Sequence, residues 1–578
     1  MMKEDRRRIG VGLAAALLVS FLTGFLIFHT LGFTYAIADD IIMRDIASGA
    51  FTGTPDGHLI FVRYALGFLI SRLFLLNRSV DWYGFVIVGT LFLGLAGVLY
   101  RGFTARRSFK WKGFYGAFVL CLFAVSLLYH TAKFEWTVSA AFAGACGLYL
   151  YVTSTGETKG LQLTDGIFIW LLLLFTYCVR KDVFYMVIPG FGITFLWRFF
   201  KKEGKKLRFL FKELILPAAV FSCVGMVMLV ESRAYQGEKW EEFQVFQELR
   251  SQVYDYSDTI VYDSNPAFFD ELGLDEHDIR NLRHYALYLV EDMDTELMQW
   301  ISWERRMDKI GGKSRGERIW EGICLTVKEM VNPKCLWISI PMLLFLAGVF
   351  WQALQGQKRM LLPVLLFLGA EGAMWLILGI RGRLPERVAY SMYVVMLLGA
   401  GGVFYRLCFL GDGETERQHL LQKKIPVMVL GALCVVLAGI RCQAAGREFT
   451  GEPADYQLFK DACKDDTDRI YFIETLMAEP LGGAVVTVHG DFRLNRCLTL
   501  GDWYSFSPLD EERFKVYGIE NVEEAILNDP RVYLVIRDVE NPMFYGTYFP
   551  HKYPGAELIC REEKVVNGRS YYLYQVQR

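Results

Sequence analysis

Long apolar segments alternate with polar segments along this chain of 578 residues. A helix needs about 20 mainly apolar residues to cross the hydrocarbon core of a bilayer. About eleven segments meet that requirement, and we predict spans at 10–32, 82–100, 114–130, 136–153, 165–179, 183–199, 212–230, 335–352, 360–379, 388–408 and 426–441. The pattern therefore predicts an α-helical polytopic membrane protein.

The basic residues predict the orientation of these spans. Lys3, Arg6, Arg7 and Arg8 precede the first span, and short cytoplasmic segments are normally rich in lysine and arginine. Further basic clusters follow in alternate loops, at 101–112, 201–208, 358–359 and 417–424. We expect the N-terminus to be cytoplasmic and the loops 33–81 and 231–333 to be extracytoplasmic.

The segment from His58 to Leu76 is apolar but carries Arg63 and Arg72. If it crossed the membrane, every later loop would change sides and the basic loops would face outward. We therefore predict an interfacial or re-entrant helix on the outer face, and a buried twelfth span is the alternative.

The chain divides into a membrane domain, 1–441, and an extracytoplasmic α/β domain, 442–578. Strand-like runs in the second domain are Arg469–Ile473, Ala484–Val488, Val532–Ile536 and Tyr571–Val576, with helical patterns at Asp455–Cys463 and Val522–Leu527. In the loop 231–333, helical periodicity appears at Trp240–Val253 and Asp278–Leu289.

Composition excludes several classes of protein. The net charge of -1 does not fit a basic nucleic-acid-binding protein. The chain has no phosphate-binding G-x-x-x-x-G-K-[ST] loop, no G-x-S-x-G elbow and no H-E-x-x-H motif. Cys463, Cys497 and Cys560 fall in the predicted outer domain, but the sequence does not select a disulfide pair.

The main candidate for catalysis is an acidic pair, Asp39 and Asp40, just after the first span. A carboxylate there is suited to remove a proton from an acceptor hydroxyl, and the pair is also suited to bind a divalent metal such as Mg²⁺ or Mn²⁺. The alternative is structural, because Asp40 is also a good N-cap for a helix that begins at Ile41.

Cations on the predicted outer side are the candidate phosphate ligands. Outer loops are usually poor in lysine and arginine, and guanidinium groups bind phosphate oxygens in pairs. The candidates for holding a donor phosphate are Arg381, Arg383, Arg387, Arg180 and Lys181. The alternative is pairing with Asp182 and Glu386.

Three further residues are candidates for binding an acceptor. His130 and Glu135 fall in a short predicted outer turn, and Trp503 belongs to a G-D-W-Y run in the outer domain. Aromatic rings of this kind stack on sugars when they are exposed. A solvated turn and a packed turn are the structural alternatives.

The order of these parts resembles the GT-C class of polytopic membrane glycosyltransferases, including the GtrII-like enzymes. The resemblance rests on Ala38-Asp39-Asp40 after the first span, Val80-Asp81-Trp82-Tyr83-Gly84 before the next, Phe134-Glu135-Trp136-Thr137 before a later one, and a C-terminal extracytoplasmic domain. It implies a polyprenyl-phosphate sugar donor, often a divalent metal, and transfer outside the cytoplasm. The first acidic residue of the pair is the base in part of the class, which would correspond to Asp39. The second position is Asp here rather than Glu, so the choice between Asp39 and Asp40 stays open.

We therefore expect a cell-membrane glycosyltransferase that moves a sugar from a polyprenyl-phosphate carrier to a cell-surface glycan or lipid. A transporter or flippase for lipid-linked saccharides would share the cations but needs no base. A non-enzymatic membrane scaffold is the third alternative.

Overall fold

The computed structural model describes residues 2–154, 159–202, 204, 206–256, 260–310, 313–354, 361–409, 431–444, 455–473, 484–537 and 542–578. The helices are α1 Met2–Thr30, α2 Ala38–Ser48, α3 Tyr64–Leu76, α4 Trp82–Phe103, α5 Phe109–Ala132, α6 Trp136–Thr153, α7 Lys159–Val179, α8 Lys181–Lys201, α9 Lys206–Ala234, α10 Glu238–Tyr254, α11 Pro266–Glu271, α12 Glu276–Arg283, α13 Thr295–Ile310, α14 Arg315–Met330, α15 Leu336–Leu354, α16 Leu361–Ile380, α17 Glu386–Phe409, α18 Gly431–Ala444, α19 Asp455–Ala462, α20 Pro508–Tyr517, α21 Val522–Asn528 and α22 Pro542–Lys552. The strands are β1 Thr34–Tyr35, β2 Lys133–Phe134, β3 Ile470–Ile473, β4 Cys497–Thr499, β5 Val532–Ile536, β6 Glu557–Val566 and β7 Arg569–Gln577.

Ten helices in the described part of the chain are long and apolar enough to cross a membrane: α1, α4 to α9 and α15 to α17. The predicted fold class, a helical polytopic membrane protein with a C-terminal α/β domain, is confirmed. The eleventh predicted span, 426–441, falls partly outside the described residues, and the described part belongs to the shorter helix α18.

Helix α3 lies in the apolar segment 58–76, for which the sequence predicts an interfacial or re-entrant helix. Its 13 residues correspond to about 20 Å of helix at roughly 1.5 Å per residue. A bilayer core is about 30 Å thick, so this helix is too short to cross it directly. Its location at the membrane interface stays a prediction.

Helix α6 forms the centre of the bundle, and every residue along it is buried. It packs against α4, α7, α8 and α17. Alanine and glycine are frequent along its length, as at Ala140, Ala143 and Gly144. Small side chains let helix backbones approach closely in membrane bundles, where lipid provides no hydrophobic driving force between helices.

The polar segments cover the same end of the bundle as α2. Asp81 donates its backbone N–H to the carbonyl of Thr487 in the C-terminal domain at 2.9 Å, and Arg383 pairs with Asp255 at 3.0 Å. Lys239 also pairs with Glu511 at 2.5 Å. The segment between α9 and α15 and the C-terminal domain therefore both contact the membrane domain there.

The C-terminal domain contains a five-stranded sheet in the order β4-β3-β5-β7-β6. Strands β4, β3 and β5 are parallel, whereas β7 is antiparallel to both of its neighbours. The prediction of a sheet strand at Ala484–Val488 is wrong. That segment lies instead along β1, where the Val486 N–H donates to the carbonyl of Phe33 at 2.8 Å.

Candidate functional site

The acidic pair lies in the first turn of α2, which begins at Ala38. The residue before the helix, Ile37, makes no side-chain cap, so Asp40 does not have the N-cap role that the sequence also allowed. Carboxylates in a first turn are stabilised by the positive end of the helix dipole. The helix stops at Gly49, whose φ of +85° favours glycine and whose Cα lies too close to Pro55 for a side chain.

A two-residue parallel ladder positions this first turn. Strands β1 and β2 pair, and the Ala36 N–H donates to the carbonyl of Phe134 at 2.9 Å. The residue after β2, Glu135, is buried and caps α6, because its Oε2 accepts from the Val138 N–H at 3.1 Å. The ladder therefore brings the beginning of α2 beside the beginning of α6.

Asp40 is completely buried. Its Oδ1 accepts a hydrogen bond from the Tyr83 hydroxyl at 2.7 Å, and its Oδ2 has no hydrogen-bond partner among the residues that the structure describes. Burial raises the pKa of Asp40 well above its usual range, and the charges of Glu135 and Asp39 raise it further, although the Tyr83 hydrogen bond and the backbone of Trp136 oppose the change.

Asp39 is partly exposed, and charged groups from distant parts of the chain surround it. Burial raises its pKa, while the positive charges of Arg387, Arg250 and Arg180 oppose that increase. The negative charge of Asp255 adds to it. Carboxylates whose pKa is shifted by burial and by specific charged neighbours are frequent at functional sites.

Arg180 and Arg387 are the two candidate phosphate ligands that act on Asp39. The guanidinium of Arg180 pairs with Asp182 at 3.2 Å and lies 4.4 Å from the ring centre of Trp136. Among the residues that the structure describes, Arg387 makes no ion pair within 4.0 Å. Of these two arginines, Arg387 is therefore the one without a carboxylate partner among the described residues.

The other three candidate phosphate ligands have different surroundings from those of Arg180 and Arg387. Arg383 is bound by Asp255 at 3.0 Å and lies 5.1 Å from the ring centre of Tyr256. Arg381 and Lys181 are exposed and are not among the groups that act most strongly on Asp39. Their roles in phosphate binding stay predictions.

The structure separates the three candidate acceptor residues. Glu135 is the buried cap beside Asp40. His130, in the last turn of α5, contacts Tyr390, with ring centres 3.9 Å apart and planes at 48°. It also lines a cavity of about 530 Å³ together with Lys133 and Arg441. Trp503 is buried, so it has no exposed face for a sugar in this conformation.

Phe61 contacts two tryptophans, Trp503 and Trp136. Its ring centre lies 4.6 Å from that of Trp503 and 5.5 Å from that of Trp136. Among the described residues, neither indole Nε1 atom has a hydrogen-bond partner, although both are buried.

Sequence reasoning missed Arg250, Asp255 and Asp502 as members of this site. Arg250 belongs to α10 and Asp255 follows the last residue of that helix, in a polar segment with no motif. Asp502 follows Gly501, where the backbone passes close to Tyr285. Only glycine fits there, because a Cβ at Gly501 would lie only 2.2 Å from the carbonyl oxygen of Tyr285. Burial raises the pKa of Asp502 to about 7; the negative charge of Asp39 adds to the effect, and a hydrogen bond from the Trp503 N–H opposes it.

The acidic pair does not by itself provide a metal site. In the described residues, neither Asp39 nor Asp40 belongs to a group of three metal-binding side chains. Mg²⁺ and Mn²⁺ prefer an octahedral set of oxygen ligands, and the arginines around Asp39 oppose a further positive charge. The expected divalent metal stays a prediction, and the chemistry proposed below does not require it.

The solved structures to which this chain is similar include two crystal structures of ArnT from Cupriavidus metallidurans. The structure bound to undecaprenyl phosphate is 11% identical, covers 96% of this chain and 97% of its own, and has a TM-score of 0.37. The apo structure is 10% identical, covers 98% of each chain and also has a TM-score of 0.37. No family model and no curated protein matches the sequence. The function proposed below therefore depends on the geometry of the site and not on these similarities.

Proposed function

We propose that this protein is an integral membrane glycosyltransferase. It would transfer a sugar from a polyprenyl-phosphate carrier to a glycan or lipid acceptor at the outer face of the cell membrane. The observation that carries the proposal is the convergence of Asp39 with Arg387 and Arg180, from three separate segments, at one end of the helical bundle.

The proposed reaction needs one base and one anion-binding group. Asp39 is partly exposed and accepts the proton of the acceptor hydroxyl. The hydroxyl oxygen then bonds to the anomeric carbon of the sugar, and the bond between that carbon and the carrier phosphate oxygen breaks. The carrier phosphate leaves with its negative charge, which Arg387 and Arg180 stabilise.

Asp40 is a positioning residue in this proposal. It is buried, and its Oδ1 is engaged by Tyr83, so a hydroxyl of the acceptor would approach Asp39 more easily. The burial and the negative charge of Glu135 favour a proton on Asp40. A protonated Asp40 leaves Asp39 without a second negative charge beside it, and it fixes the first turn of α2 against α4.

A sugar-transfer assay on the full chain in proteoliposomes tests the proposal. The probe is a set of polyprenyl-phosphate donors with isotope-labelled sugars, supplied with a membrane extract that contains acceptors. Appearance of labelled acceptor that depends on Asp39 supports a transferase. Movement of the labelled lipid between leaflets without bond formation would show a flippase, and neither activity would favour a scaffold.

A further inference from the structure

One group of potential metal ligands lies outside the proposed active site. Asp275 and His277 are at the beginning of α12, and His551 is near the end of α22 in the C-terminal domain. One ligand atom from each of the three lies within 4.8 Å of the others. His551 is far from Asp275 and His277 in the sequence, so only the tertiary structure brings it to them.

The three side chains are already in contact. The Nε2 of His551 lies 2.7 Å from Oδ2 of Asp275, and Nδ1 of His277 lies 3.9 Å from Oδ1 of the same carboxylate. The two imidazole rings stack, with centres 4.1 Å apart and planes at 14°. The three groups are therefore close enough to share one ion.

The local backbone holds the carboxylate in place. Asp275 is the N-cap of α12, and its Oδ1 accepts from the N–H groups of His277 and Asp278 at 2.7 Å and 3.0 Å. Oδ2 keeps lone pairs for another partner. Hydrogen bonds that orient a ligand are a usual part of metal sites in proteins.

We propose that Asp275, His277 and His551 form a binding site for a divalent transition-metal ion, with Zn²⁺ as the best fit. Two imidazole nitrogens and one carboxylate oxygen are a typical ligand set for Zn²⁺, whereas Mg²⁺ and Ca²⁺ prefer oxygen ligands only. The three ligands leave room for water on the ion. The side chains of Asp275 and His551 are 47% and 53% exposed, so an ion can enter from solvent.

The bound ion would connect two parts of the polar region. Residues near the site already join α12 and the segment after it to the C-terminal domain, because the Tyr548 hydroxyl donates to the carbonyl of Leu289 at 2.7 Å. Lys552 also lies 3.7 Å from Glu291. Metal binding would strengthen this interface, and it is independent of the proposed transferase activity.

Metal binding to the purified full chain tests the proposal without an activity assay. The detergent-solubilised protein is stripped with a chelator and titrated with ZnCl₂ by calorimetry, and its metal content is measured after desalting. We expect one Zn²⁺ per chain and an increase in thermal stability with zinc concentration. The variants His277→Ala and His551→Ala should weaken binding by at least the roughly 10–100-fold that loss of a supporting residue around a metal causes.

Two further variants separate a metal ligand from a structural residue. Asp275→Asn keeps a good helix N-cap but replaces a carboxylate ligand with a weaker amide, so it should fold normally and bind zinc less tightly. His489→Ala removes an exposed histidine elsewhere in the same domain and should leave zinc affinity unchanged. Absence of zinc binding to the unmodified protein, or equal affinity in the folded His277→Ala, His551→Ala and Asp275→Asn variants, would overturn the proposal.

Discussion

Lys460 of the C-terminal domain forms a buried ion pair with Asp45, on the same helix as Asp39 and Asp40. Arg44 also binds Asp45, at 2.9 Å, so the carboxylate has two cationic partners. Burial alone would raise the pKa of Asp45, but Lys460 and Arg44 outweigh burial and lower it. The C-terminal domain is therefore attached directly to the helix that carries the proposed base.

The first prediction concerns this attachment. Lys460→Met should lower the free energy of unfolding by roughly 1–3 kcal/mol, because Arg44 still compensates Asp45. Removing the only partner of a buried charge typically lowers the free energy of unfolding by about 3–5 kcal/mol. Asp45 contributes to the free energy of unfolding at pH values above its ordinary pKa of about 3.9. This contribution disappears as the pH falls through the lower pKa of Asp45 in the folded protein. Thermal unfolding in detergent measures the effect. The control is Lys464→Met, which removes a more exposed pair with Asp461; an equal loss there would contradict the prediction.

The second prediction distinguishes the two members of the acidic pair. Asp39→Asn should reduce sugar transfer by roughly 10²–10⁴-fold, the usual effect of losing a general base. Asp40→Asn keeps an oxygen for the Tyr83 hydroxyl and should reduce transfer less. Both variants should insert and fold, which gel filtration and helix content check. Near-full activity in both Asn variants would show that neither carboxylate is the base.

The third prediction concerns the donor phosphate. Arg387→Gln should raise the Kd for the polyprenyl-phosphate donor by about ten- to a hundredfold, since a charge-assisted hydrogen bond contributes roughly 1.5–3 kcal/mol. Arg383→Gln should change stability more than Arg387→Gln does, because Arg383 holds Asp255. Donor binding to the purified variants measures the first effect, with the exposed Arg561→Gln as control. Unchanged donor affinity in Arg387→Gln would remove this arginine from the site.

The fourth prediction concerns pH. The pKa of Asp502 is raised to about 7, so the folded protein retains a proton that the unfolded chain releases near pH 4. Asp502 should therefore decrease stability progressively as pH rises from about 4 to about 7. Asp502→Asn should flatten the dependence of Tm on pH in that interval, whereas the control Asp465→Asn, at a 92% exposed side chain, should not. Parallel Tm curves for the unmodified protein and Asp502→Asn would argue against the raised pKa.

The fifth prediction concerns topology. Single cysteines introduced at exposed positions of α10 and β6, in a background without the native cysteines, should react with an impermeant maleimide on whole cells. The positive-inside distribution of the loops is the physical reason. Cysteines placed in the loop between α4 and α5 serve as the cytoplasmic control and should be protected. Protection of both α10 and β6 would contradict the predicted orientation.

The sequence by itself determined the membrane architecture. Ten of the eleven predicted spans correspond to long apolar helices, because hydrophobic length is a local property that a bilayer imposes on each segment separately. The strands at β3, β5 and β7 and the helices at α19 and α21 were also predicted, since each is built from a short run with its own periodicity. The run Ala484–Val488 has the same strand-like pattern, but pairing with β1 instead of the sheet is decided by distant residues.

Only the tertiary structure decided which charged groups share a site. Asp39, Arg180 and Arg387 were named from their positions near predicted span ends, but nothing in the sequence distinguished Arg387 from Arg381 or Arg383. Arg250 and Asp502 reach Asp39 because α10 and the Gly501 turn pack over the same end of the bundle. Such contacts depend on side-chain packing between segments hundreds of residues apart. Local patterns of hydrophobic and polar residues do not determine that packing.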